Sequence, residues 1–327
     1  MRDPVTDVPL PDGRPCQRLT LRGGGLTAQI LTLGAIVQDL RLDGIAHSLV
    51  LGCADVADYF NGGRYLGAVV GRFANRIGGA QFTLDGVTHH TDPNFRGRHT
   101  LHGGSVGMDL QVWDIIERRD DAVTLGLRLP DDDMGFPGNL SAQVQIALSD
   151  GALVLDMTAT ADAPTPCNLA HHGYFNLDGS DDVRDHTLWI DADRYLAVDD
   201  DLIPLPGTSD VADTRFDFRE PRRILPGGYD HNFCLSDGPR PPRVVALLQG
   251  KSGLRMEVAT NAPGLQVYDG AHFDGLAGLD GRRYGPFAGI AMETQGWPDA
   301  PNRNDFPSAI LRPGQTYHHH VSYGFSA

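Results

Sequence analysis

Apolar residues alternate with mostly polar ones along Leu140, Ala142, Val144, Ile146 and Leu148, and again along Leu153, Leu155, Met157, Ala159 and Ala161. Asp150-Gly151 separates the two runs. Period two gives each run one buried face, and Asp-Gly suits a tight turn with positive φ, so residues 140–161 predict a β-hairpin. The design recurs at Asp43-Gly44, between residues 37–42 and 48–51, and at Asp85-Gly86, between 82–84 and 87–89. Residues 113–117, 123–129, 188–198, 244–248, 254–259 and 316–325 read as further strands, and only 55–60 predicts a short helix. Many short strands with turn-rich spacing predict an all-β fold, a sandwich or barrel, with antiparallel neighbours.

Composition sharpens this picture. The 327 residues include 40 glycines and 22 prolines, which is turn-rich without being disordered. Neither an internal repeat nor a linker is visible, and the irregular stretch 199–228, with Pro204, Pro206, Pro221 and Pro226, reads as a long functional loop inside one domain spanning 1–327. A net charge of −15 argues against nucleic acid or an anionic membrane as partner. Met1-Arg2-Asp3-Pro4-Val5 carries no signal-like pattern, and no run approaches the roughly 18 apolar residues of a span, so a cytoplasmic protein is expected. Cys16, Cys53, Cys167 and Cys234 form no Cys-x-x-Cys pair and read as reduced structural thiols. The single lysine, Lys251, lies in the turn Gly250-Lys251-Ser252-Gly253, and Val245 stands where a phosphate loop needs its first glycine.

Candidate chemistry centres on histidine, whose ordinary pKa permits both proton donation and acceptance near neutrality. His102 precedes two glycines, Gly103 and Gly104, where missing side chains would let a ligand approach closely. In Asn168-Leu169-Ala170-His171-His172-Gly173-Tyr174-Phe175-Asn176-Leu177, alternation sends His171 and His172 to opposite faces. Asn75-Arg76 sets an amide beside a guanidinium, a donor-rich pair suited to hydroxyl or carboxylate oxygens. Asp230 follows Gly227-Gly228-Tyr229, and Glu293 follows an apolar run, so a buried carboxylate there needs partners or a raised pKa. A histidine acid with a carboxylate base suffices for proton transfer on a neutral substrate. His318 and His320 share a face, which without a third ligand makes a poor zinc site.

Asn75-Arg76, Leu101-His102-Gly103-Gly104, residues 168–177, Tyr229-Asp230-His231-Asn232, Gly264-Leu265-Gln266-Val267-Tyr268 and Glu293-Thr294-Gln295 together resemble the aldose 1-epimerase (galactose mutarotase) family, in the same order. Residues 107–113, 135–138, 298–302 and 311–315 are similar to family segments too, so the resemblance spans roughly residues 20 to 325. It implies one large antiparallel β-sandwich with an open carbohydrate groove and few short helices. It implies His172 as the general acid to the ring oxygen, Glu293 as the base to the anomeric hydroxyl and His102 as a second histidine near the ring oxygen. Asn75, Arg76, Asp230 and Gln266 are then the residues that hold sugar hydroxyls. A monosaccharide is the implied partner, with no cofactor, no metal, and a monomer or homodimer as the working form. Where the family reads Asn-His-Ser/Thr-Tyr, this chain has His171-His172-Gly173-Tyr174. Each charge of a protonated His172 and an ionised Glu293 is expected to favour the other. The alternatives are a sugar-binding sandwich without catalysis, a glycosidase using Asp230 and Glu293, and an epimerase of a phosphorylated hexose with an added arginine cluster.

Overall fold

Leu140–Ser149 and Ala152–Ala161 pair residue by residue, from Leu140↔Ala161 to Ser149↔Ala152, around Asp150 and Gly151 at φ 50° and 76°. The computed structural model describes residues 5–225 and 227–326; the opening Met1-Arg2-Asp3-Pro4, Pro226 of the irregular stretch and Ala327 lie outside them. The Asp85-Gly86 hairpin forms as predicted between Gln81–Leu84 and Val87–His90. The Asp43-Gly44 hairpin does not. Ile36–Leu42 pairs with Leu26–Leu31 instead, and beyond the turn the return contacts at Leu40, from the Leu49 amide to Leu40 O at 2.7 Å and from the Leu40 amide to Ser48 Oγ at 3.3 Å, form no strand ladder. Residues 49–51 are claimed by the other side: Leu51 N donates to Tyr174 O, Val50 bridges Phe175, and all three apolar side chains are buried.

Among the described residues the largest sheet has nine antiparallel strands: Asp114–Arg118, Ala122–Leu129, Leu140–Ser149, Ala152–Ala161, Tyr317–Ser326, Arg255–Thr260, Arg243–Gln249, Thr187–Ile190 and Arg222–Arg223, in that spatial order. A six-stranded sheet runs Tyr174–Phe175, Ile290–Gln295, Gly264–Tyr268, Asp230–Cys234, Arg194–Tyr195, Ser209–Asp210, and a four-stranded sheet holds residues 6–42. The predicted strand over 188–198 is thus two strands in two layers, because the chain leaves the larger sheet after Ile190 and enters the smaller at Arg194. Helical structure among the described residues is limited to single 3-10 turns, including Val56–Phe60, which Asp55 caps by accepting the Ala57 amide at 2.9 Å.

Leu125, Val144, Met157, Val258 and Val321 of the nine-stranded sheet share one buried cluster with Phe233, Leu265, Val267, Ile290 and Met292 of the six-stranded sheet. Each such side chain stabilises the fold by about 1.5–3 kcal/mol relative to exposure. Period two then decides where the chemistry goes. With Leu265, Val267, Ile290 and Met292 facing the core, Gln266 and Glu293 must face the other way. All four cysteines are free and buried, and no helix among the described residues is long and apolar enough to cross a membrane.

Candidate active site

Register assembles the carboxylate side of the site. Gln266 lies opposite Glu293, and Asp230 opposite Tyr268, on three adjacent strands. Asp230 Oδ2 receives Arg76 Nη2 at 2.9 Å, and its Oδ1 receives Gln266 Nε2 at 2.5 Å. Arg76 is held in turn by Asn75 Oδ1, which accepts the Arg76 amide at 2.9 Å and Nη1 at 3.3 Å. The guanidinium also lies over the Phe95 ring, 4.8 Å from its centroid. These charge-assisted bonds fix Asp230 firmly in place.

The imidazoles arrive from two other segments. His172 follows the two-residue strand Ala170–His171; its amide donates to Ala68 O at 2.8 Å and its carbonyl accepts Gly67 N at 2.9 Å. His171 faces the other way as alternation predicts, with Nδ1 3.3 Å from Tyr323 OH. His102 and Asn75 both adopt the left-handed region, at φ 50° and 66°, and clasp each other: His102 N donates to Asn75 O at 3.0 Å, and Asn75 N donates to His102 Nδ1 at 3.1 Å. The glycines after His102 serve a different purpose from the expected one. A Cβ on Gly103, at φ 85°, would stand 2.0 Å from Gly71 O, so what approaches closely there is the chain's own backbone and not a ligand.

His172 Nε2 lies 3.4 Å from Glu293 Oε1, with both residues at least 96% buried. Burial pulls the His172 pKa down to about 4, with the charge of Asp230 pulling the other way. Burial likewise pushes Glu293 well above the usual carboxylate range, and Asp230's negative charge adds to the push. Burial therefore works against the expected mutual support of the two charges. Desolvation outweighs the attraction, and both groups shift toward their neutral forms. Burial thus favours an uncharged imidazole on His172 and a protonated carboxyl on Glu293. Glu293 Oε2 and Gln266 Oε1 are buried without hydrogen-bond partners.

A peptide N–H can only donate, so the Asn75 bond makes Nδ1 of His102 an acceptor and leaves the ring hydrogen on Nε2. Burial keeps His102 well below its ordinary pKa, and the charges of His172 and Arg76 add to this. His102, His172 and Glu293 have potential ligand atoms within 4.8 Å of one another. The spacing is that of a three-ligand metal site, but a His102 already carrying hydrogen on its remaining nitrogen opposes coordination. At the other cluster a carboxylate is present that the sequence did not reveal. Asp156 Oδ1 lies 2.9 Å from His320 Nδ1 and 3.3 Å from His318 Nε2 on the partly exposed face of the sheet, while His319 is buried against Thr294.

His171 and Gly173, the two departures from the family motif, belong together. A Cβ on residue 173 would lie 2.5 Å from His171 Cε1, so the larger ring occupies the room a Ser or Thr would need. Arg72, three residues before Asn75, holds loop backbone: its buried guanidinium donates to Pro137 O, Gly138 O and Pro130 O. Several residues at the site escaped sequence reasoning. Asn94 braces the strand before His102 by accepting Leu101 N at 2.7 Å and donating to Leu101 O at 2.9 Å. Arg64 and Asp109 form an ion pair at 2.8 Å, and Tyr65 and Tyr174 pack on His172. Of these, only Asp109 and Tyr174 lay in segments with any sequence signal.

A family model described as aldose 1-epimerase matches residues 17–324. The chain is 38% identical to the aldose 1-epimerase of Escherichia coli K12, covering 97% of each, and 38% identical to the galactose mutarotase of Rattus norvegicus, covering 96% of this chain and 95% of that one. Among solved structures, a galactose 1-epimerase from Lactobacillus acidophilus superimposes with a TM-score of 0.86 at 30% identity, covering 99% of this chain and 98% of that one. A C. elegans aldose epimerase homologue gives 0.88 at 28% identity, covering 99% of both chains. Likeness of this extent, over a sandwich whose polar face gathers Asn75, Arg76, His102, His172, Asp230, Gln266 and Glu293, places the chain in the aldose 1-epimerase family.

Proposed function

We propose that the protein interconverts the α and β anomers of a free aldose such as galactose, glucose or a pentose, by acid–base ring opening and closure. The observation that carries this reading is the buried His172–Glu293 contact beside a fixed Asp230–Arg76–Gln266 array. Glu293 takes the proton of the anomeric hydroxyl as His172 gives one to the ring oxygen. The C1–O5 bond breaks and a carbonyl forms at C1. Rotation about C1–C2 presents the other face, and the two groups reverse their steps. The unpartnered Glu293 Oε2 and Gln266 Oε1 are acceptors that a polyol satisfies.

His102, an Nε2–H donor, holds a sugar oxygen near the ring oxygen without moving protons itself. His102→Asn keeps an acceptor for the Asn75 amide but deletes the distal donor, and should lower kcat/KM roughly 100-fold. His102→Gln restores a donor at that reach and is expected to stay within about tenfold of wild type, because the hydrogen bond is kept and only its alignment changes. Equal damage in both variants, measured by polarimetry, would assign His102 a proton-transfer role instead.

The arginines at the site argue against a phosphorylated substrate, since Arg76 is committed to Asp230 and Arg64 to Asp109. A glycosidase role is disfavoured because the Asp230 oxygens, which would have to act as nucleophile or base, are both engaged, by Arg76 and by Gln266. Four unpaired, buried cysteines support a reducing, cytoplasmic setting, and a core cluster running from Leu19 to Tyr323 supports one domain, acting as a monomer or homodimer. Polarimetry on freshly dissolved α-D-galactose, α-D-glucose and α-D-xylose tests the proposal. Faster relaxation than in buffer is expected for at least one sugar; buffer rates for all three, with folded protein, would overturn it.

A further inference from the structure

Tyr65 belongs to no motif, yet three independent observations converge on it. Its backbone sits at φ 73°, a region where glycine is the ordinary occupant. Its turn is bonded directly to the backbone of His172: Tyr65 O accepts Ala68 N at 3.0 Å, Ala68 O accepts His172 N, and Gly67 N donates to His172 O. Its ring lies 5.8 Å from the His172 ring at an interplanar angle of 19°, and 4.7 Å from the His102 ring at 55°. His102 meets His172 edge-on at 5.1 Å, so the three rings close a triangle. The turn is anchored from outside as well. Arg64 lies 4.7 Å over the Tyr65 ring, reaches Gly104 O in the His102 loop at 3.0 Å, and pairs with buried Asp109.

We infer that Tyr65 is a positioning residue for proton transfer: its ring sets the plane of the His172 imidazole so that Nε2 meets Glu293, and its π face favours the protonated imidazole. This rests on the reading of His172 as the acid. Stacked rings at these separations fix mutual orientation, and an aromatic face attracts a cation, most strongly where water is excluded. Tyr174 stacks on the same imidazole at 5.1 Å and 29°, which limits the ring's freedom to find another orientation. A tyrosine stands in the left-handed region where glycine would be easier, which is the pattern of strain held at a working site.

The test compares Tyr65→Phe and Tyr65→Leu, because phenylalanine keeps the face and leucine keeps apolar bulk without it. Tyr65→Phe is expected within about twofold of wild type. Tyr65→Leu should lower kcat roughly tenfold at nearly unchanged KM, and move the acid limb of kcat/KM, which His172 governs as the weaker base of the pair, down by about half a pH unit. The His172 ring-proton resonance, identified by its loss in His172→Asn, should be displaced by ring currents in wild type and Tyr65→Phe, and shifted in Tyr65→Leu. Wild-type kcat, pH limb and resonance in Tyr65→Leu overturn the proposal, as does a Tyr65→Phe variant as slow as Tyr65→Leu. Retained turnover in His172→Asn overturns the acid reading by a separate route, leaving the resonance to report the ring contact alone.

Discussion

Replacing Glu293 by glutamine is expected to leave a folded, sugar-binding protein whose kcat is lower by about 10³-fold, within the range of general acid–base catalysis. The amide has the shape of the carboxylate but cannot take the anomeric proton. Asn75, Arg76, Asp230 and Gln266 keep their bonds to one another, so KM should move little. Stability should hold or rise. Burial raises the Glu293 pKa in the folded state, so stability from this group is full below its unfolded pKa and is lost as pH rises through the folded value; glutamine carries no such cost. Polarimetry, circular dichroism and a thermal melt check these outcomes together. Wild-type turnover in this variant would sink the assignment of the base.

His172→Asn should lose roughly 10²- to 10⁴-fold in kcat, and the shape of its residual pH profile separates it from the first variant. Activity needs Glu293 ionised and His172 protonated, which gives wild type a bell. Without His172, the bell gives way to a single rise with pH through the raised Glu293 pKa, and the alkaline fall disappears. Without Glu293, activity falls as pH climbs past about 4, the value to which burial draws His172, and no acid limb is left. Because the base and the acid act in the same ring-opening step, the double variant should be hardly slower than either single one. Multiplied losses in the double variant would show that the groups act independently.

The alternation of residues 140–161 was legible because each strand has one face on the core and the turn chemistry of Asp150-Gly151 agrees with it. The same dipeptide misleads at Asp43-Gly44, where the residues after the turn bond to Tyr174 and Phe175, far away in sequence. The site residues were legible as a set of motifs; alternation put His171 and His172 on opposite faces, and the family motif singled out His172. The protonation of the pair was not, because it depends on how completely Glu293 and His172 lose water, which only packing reveals. Tyr65 left no signal for a related reason: its part is played through rings contributed by residues 102 and 172.

Tyr317–Ser326 is the middle strand of the nine-stranded sheet, paired on one side at Val321↔Leu155 and on the other at Tyr323↔Val258. Until it inserts, Ala152–Ala161 and Arg255–Thr260 each present a bare edge, and unpaired edges invite pairing with other chains. Closing them requires contacts between segments distant along the chain, which is the slow part of building a β-topology. The sheet is therefore most exposed to aggregation just before its centre fills. Damage to this strand would show first as lost soluble yield, in molecules whose surviving fraction turns over sugar at the normal rate.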